Sequence, residues 1–222
     1  EPSRPAQGVM LQAFCRPNIV LLGLPLSTAL FGPENIGHIA FMLAVLVPLI
    51  NILAVLALEL FRGGTPNPKR ILLGVAKNPF VLGAVAGFLC KLLQIQLPYV
   101  LDSVISSMAE AATPLALVLM GTSMNFGKLQ GCGRSLTVCT VVRLFAAPVV
   151  FLSLAVALGF RGVPLCGVML VFATPVAVNS YTMALQMDGD ADLAGGIVLL
   201  TTGLSCLTLF LWIFLLKALG LF

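Results

Sequence analysis

Residues 172–186 read FATPVAVNSYTMALQ and lie inside a run of apolar sequence that begins near residue 163. Pro175 and Asn179 interrupt that run where a helix surrounded by lipid tolerates them least. Proline removes a backbone donor and frees carbonyls in the preceding turn, and in hydrocarbon such groups persist only if protein, water or a ligand satisfies them. A second stretch has the same parts. In CRPNIVLLGLPL, residues 15–26, Pro17 also lies deep in an apolar run, with Asn18 after it and a polar residue before it.

The sequence around these stretches is that of a membrane protein. Hydrophobic residues make up 59% of the 222 and charged residues 9%, too few to cover the surface of a water-soluble protein of this size. A bilayer core takes about 20 apolar residues per helix, and the breaks between runs give seven segments, near 8–31, 39–60, 78–96, 99–124, 136–158, 163–186 and 193–216. The expectation is an all-α integral membrane protein. Residue 1 is Glu and no leader pattern opens the chain, so the sequence reads as part of something longer. The six cysteines are scattered without metal-type spacing and read as small packing residues.

The basic residues follow loop sidedness, not the clustering with aromatics that a nucleic-acid partner requires. If RGGTPNPKR (62–70) is cytoplasmic, Arg4, Arg62, Lys69, Arg70, Lys77, Lys128 and Arg134 share its side, against Lys91, Arg161 and Lys217 on the other. The chain then starts inside and ends outside.

Spacing relates the two proline stretches. Glu34 follows Pro17 by 17 residues, Asp192 follows Pro175 by 17, and each acid precedes an apolar span, where the helix dipole favours it. Adding the offset of 158 (175 minus 17) maps span 39–60 onto 197–218. The first helix pair therefore echoes the last with opposite parity. This organisation gives residues 1–61 as the end of one repeat, 62–77 as a cytoplasmic linker and 78–222 as a complete inverted repeat. Inverted repeats with interrupted helices near the midplane are a signature of secondary transporters.

Four stretches, FCRPNIVLLGLPLSTALFG (14–32), AKNPFVLGAVAGFL (76–89), AATPLALVLMGTSM (111–124) and ATPVAVNSYTMALQMDGDADLAGGIVLLTTGLS (173–205), together resemble the auxin efflux carrier family, whose bacterial members include permeases for malate and malonate. The resemblance implies ten helices in two inverted five-helix repeats, with crossover helices broken at prolines that match Pro17 and Pro175. It makes the seven spans helices four to ten, with the first three absent. The short linker favours the bacterial branch and hence an inner, plasma-membrane location.

Asn18 and Asn179 lie close to the prolines, where their amides suit substrate or the freed backbone groups, two compatible roles. Thr174, Ser180 and Tyr181 read more simply as packing or backbone-bonded residues. Arg16 is a charge inside a span, at a cost of roughly 2.5 to 3.5 kcal/mol, and marks either an anion path or a snorkel to the interface. Arg143 and Glu110 either neutralise each other, or Arg143 faces a transport cavity while Glu110 carries a proton; the family usually has a small residue at the latter position. The candidate substrate-binding set is Arg16, Pro17, Asn18, Arg143, Thr174, Pro175 and Asn179, with Glu110 for ion or proton coupling.

DGDAD (188–192) lacks the Gly and Glu of a calcium loop and reads as a helix N-cap. Gly83 and Gly87 form a GxxxG that serves either a homodimer or packing within the bundle. His38 reads as an interface residue. No metal or other cofactor and no nucleic acid is expected; the partners are a small organic anion and membrane lipid. The expected function is carriage of that anion, a carboxylate, by alternating access. The alternatives are a seven-helix receptor, which should end inside the cell, and an intramembrane hydrolase, for which no GxSxG and no histidine within a span is present.

Overall fold

A computed structural model of the chain describes residues 2–62, 73, 74, 76, 77, 79–123 and 132–222. Most of the linker expected over 62–77 lies outside these residues. Helices α1 (Arg4–Cys15) and α2 (Ile19–Phe31) are followed by a 3-10 turn, Pro33–Asn35, and then by α3 (Ile36–Phe61). Next come α4 (Pro79–Leu92), α5 (Tyr99–Ser123) and α6 (Gly133–Ala157). The chain closes with α7 (Gly162–Ala173), α8 (Asn179–Gln186) and α9 (Ala191–Ala218).

These helices occupy the seven apolar runs, two of them as broken pairs. Among the described residues four helices, α3, α5, α6 and α9, are long and apolar enough to cross a membrane. At 1.5 Å per residue the 12 residues of α1 or α7 span only about 18 Å, well short of a roughly 30 Å hydrocarbon core, so each needs its second half. The third run stops earlier than its apolar sequence suggests, at Leu92. Gln94 adopts a left-handed conformation (φ 52°), and the Ile95 N–H reaches back to the Cys90 carbonyl at 2.9 Å, closing the helix end.

Proline alone does not break these helices. Pro25, Pro48 and Pro114 lie inside α2, α3 and α5. Pro148 in α6 has a subtler effect, a π-turn over Val142–Ala146. Having no N–H, Pro148 cannot serve the Leu144 carbonyl one turn back. The Trp212 indole of α9 donates to that carbonyl instead, at 3.0 Å.

The breaks divide the buried core in two. One cluster joins α1, α3, α8 and α9 through Val9, Ala54, Val55, Leu58, Met183, Leu193 and Ile197. The other joins α2, α7 and the far end of α9 through Ile19, Leu165, Met169, Leu170, Leu209 and Leu216. In a membrane such packing rests on close contact, not on water exclusion. At Gly8 of α1 a Cβ would lie 3.0 Å from the Cβ of Phe61 and 3.3 Å from the Ala57 carbonyl of α3, so any larger residue requires the two helices to give by a few tenths of an ångström. A Cβ at Gly83 or Gly87, by contrast, would meet nothing within 4 Å, so this pair mediates no packing among the described residues.

Loop contacts sort the helix ends into two sets, as alternating spans require. Pro2 and Ser3 share a pocket with Cys132, Arg134 and Asp190, and Arg62 pairs with Asp188, its Nη2 3.0 Å from Oδ2. At the opposite end Phe31 packs edge-on against Phe222, and the Gly162 N–H donates to Leu221. Asp190 caps α9 by accepting from the Leu193 N–H at 3.0 Å, as the N-cap reading of DGDAD expects.

Candidate functional site

The two interruptions meet. α1 ends at Cys15 and α2 begins at Ile19; α7 ends at Ala173 and α8 begins at Asn179. Thr174, which precedes Pro175, is extended (φ −72°, ψ 151°), the conformation that a following proline favours. Across the gap the Asn18 N–H donates to the Pro175 carbonyl at 2.8 Å and the Ala177 N–H to the Arg16 carbonyl at 3.1 Å, an antiparallel bridge centred on Pro17 and Val176. The Val176 N–H donates to Thr201 Oγ1 of α9 at 3.2 Å. Each break thus supplies partners for groups that the other leaves open.

Two kinds of helix end converge here. The first turns of α2 and α8 carry the positive ends of their dipoles, and in α8 the Ser180 and Tyr181 N–H groups donate to the Ala177 and Val178 carbonyls at 2.9 and 3.1 Å. Both turns open into a cavity of about 260 Å³ lined by Arg16, Pro17, Asn18, Ile19, Val20 and Leu21 of the first break, Val47, Ile50 and Asn51 of α3, and Ala177, Val178 and Asn179 of the second. Among the described residues the side-chain amides of Asn18, Asn51 and Asn179 make no hydrogen bond. Arg16 is 5% exposed, and its guanidinium meets Met183 Sδ.

The C-terminal ends of α1 and α7 converge on a different group. Arg143 is 2% exposed and sits in the π-turn of α6. Its Nε donates to the Thr174 carbonyl at 2.9 Å, Nη1 to Phe14 at 3.2 Å and Nη2 to Val171 at 2.7 Å. One guanidinium therefore satisfies carbonyls freed at both breaks.

Of the residues singled out in the sequence, Arg16, Pro17, Asn18 and Asn179 line the cavity. Thr174 and Pro175 do not: the Thr174 hydroxyl donates to the Leu170 carbonyl at 2.6 Å, and Pro175 supplies the bridging carbonyl. Two expectations about charge are corrected. Arg143 neither faces the cavity nor pairs with Glu110, because its bonds run to main-chain carbonyls on the other side of the meeting point. Glu110 is exposed on α5 and is not among the cavity residues. Asn51 went unnoticed in the sequence; its signal was a lone amide in the middle of an apolar span, three residues after Pro48.

Paired half-helices inside a helical bundle with apolar outer faces thus meet at a small cavity of mixed lining, in a multi-pass membrane protein. The chain belongs to the membrane transport protein family, that of the auxin efflux carriers, whose model matches residues 2–213. An uncharacterized transporter of Methanothermobacter thermautotrophicus is 25% identical over 197 residues, which are 88% of this chain and 63% of the relative. The chain thus spans less than two thirds of that relative's length.

Proposed function

We propose that the chain forms the anion-binding part of a secondary carrier that moves a small organic anion, a carboxylate, by alternating access around two crossed, broken helices. The observation that carries this reading is the cavity itself, on which two half-helix N-termini and three asparagine side chains converge, with Arg16 in its wall. Helix N-termini and arginine both favour carboxylate, the arginine through charge-assisted and often bidentate hydrogen bonds. A volume of about 260 Å³ lies just below the roughly 300 Å³ at which ordinary ligand pockets begin, which favours a substrate of few heavy atoms. The division of the core at the breaks supports rocking of one set of half-helices against the other. On this reading the protein resides in a bacterial inner membrane with residue 222 outside.

The experiment is uptake of radiolabelled mono- and dicarboxylates by the full-length carrier in proteoliposomes. Arg16→Lys keeps the charge but loses the planar fork, and should weaken uptake; Arg16→Gln should nearly abolish it. Asn18→Ala and Asn179→Ala should remove transport with membrane insertion unchanged. If Arg16→Gln carries every anion as well as the parent, the anionic substrate class is wrong.

A further inference from the structure

The carbonyls at the C-terminal ends of broken helices are where membrane carriers commonly hold a coupling cation. In this protein that position is filled from within. The Phe14 carbonyl belongs to the last turn of α1 and the Val171 carbonyl to the last turn of α7, with Thr174 capping the latter, and all three accept from the Arg143 guanidinium. A helix C-terminus carries about half a negative charge, so two together present about one, which a single guanidinium matches. Arginine keeps its charge even when buried. Among the described residues no carboxylate pairs with Arg143, so its counter-charge is the two helix ends.

We infer that Arg143 is a tethered cation: its guanidinium occupies a carbonyl-lined site that suits a free monovalent cation, and it makes the meeting point of the breaks independent of any bound metal ion. Removing the side chain should expose the site and create a cation requirement that the parent lacks. A divalent ion is a poor fit, because its sites are ordinarily built with carboxylates and the ligands here are neutral carbonyls. The π-turn belongs to the same device. Pro148 sets the widened turn in α6 that carries Arg143, and Trp212 satisfies the carbonyl that this turn leaves open.

The test needs no substrate, so its result is separate from that of the uptake assay. Purified full-length parent and Arg143→Ala are melted in detergent at constant ionic strength in sodium, potassium or N-methylglucamine chloride, with low-millimolar guanidinium chloride as a further arm. The parent should melt at the same temperature in all three salts. Arg143→Ala should melt lowest in N-methylglucamine and rise saturably, by about 5 °C or more, with sodium, potassium or guanidinium. A cation-insensitive Arg143→Ala overturns the inference, and so does a saturable sodium effect on the parent. Should Arg143→Ala yield no folded protein, Arg143→Lys and Arg143→Met decide. Lysine, which keeps the charge, should retain folded, sodium-independent carrier, whereas methionine should not; equal yields from the two refute a role for the charge.

Discussion

Replacing Thr201 by valine changes little in shape and removes one hydroxyl, yet that hydroxyl is the acceptor for the Val176 N–H at 3.2 Å. Thr201 is fully buried, and its own proton goes to the Ile197 carbonyl at 2.7 Å, a group that keeps its helical partner when the hydroxyl is lost. The cost therefore falls on one buried amide with neither protein nor water to receive it, about 1 to 3 kcal/mol. For a chain of this size each kcal/mol lowers Tm by roughly 2–4 °C, so Thr201→Val should melt about 2–12 °C below the parent. Thr201→Ser keeps the acceptor and loses one methyl, worth about 0.8 kcal/mol, and should fall between the two. The measurement is thermal unfolding in detergent followed by tryptophan fluorescence. A valine variant that melts with the parent, or a serine variant as damaged as valine, would refute the claim that Thr201 completes the break.

Gly8→Val should destabilise the α1–α3 contact by about 1 to 3 kcal/mol, since the nearest groups include the Ala57 main-chain carbonyl, which cannot swing aside; thermal melting again reads it. Trp212→Phe should cost about 1 to 3 kcal/mol in the same assay, because Pro148 offers the Leu144 carbonyl no replacement donor. Asn51→Leu, by contrast, breaks no hydrogen bond among the described residues and should fold as the parent does, while uptake in proteoliposomes falls about 2- to 10-fold if its amide serves the substrate.

Periodicity and length were enough to find the helices: the runs near 39–60 and 193–216 appear as Ile36–Phe61 and Ala191–Ala218, and the breaks fall at Pro17 and Pro175. Proline did not by itself make those breaks visible, since Pro48 and Pro114 are accommodated in continuous helices. The difference is tertiary. Pro17 and Pro175 lie at breaks that face each other, where the Asn18 and Ala177 N–H groups find carbonyls across the gap and the Val171 carbonyl, one turn before Pro175, accepts from Arg143. The same limit applies to Arg143. A sequence advertises side chains as charge partners, so Glu110 was the visible candidate, whereas the actual partners are main-chain carbonyls that every residue possesses. Asn51 was hidden for a related reason: a lone buried amide in a span looks the same whether a neighbour satisfies it or it lines a cavity.

The helix polarity gives the two arginines different work. α1 and α7 approach the meeting point with their C-termini, and α2 and α8 leave it with their N-termini, so negative ends gather on one side and positive ends on the other. On the negative side Arg143 is already bonded to three carbonyls, and the charge there is balanced within the protein. On the positive side stand the dipole ends of two helix starts and the wall containing Arg16, a positive potential that no acidic side chain among the described lining residues offsets. On the proposed reading an anionic substrate is what balances it. Two helix starts and Arg16 present about two positive charges, so a doubly charged carboxylate would leave the whole crossing close to neutral, the form that costs least to carry through the low-dielectric middle of the membrane as the half-helices rock.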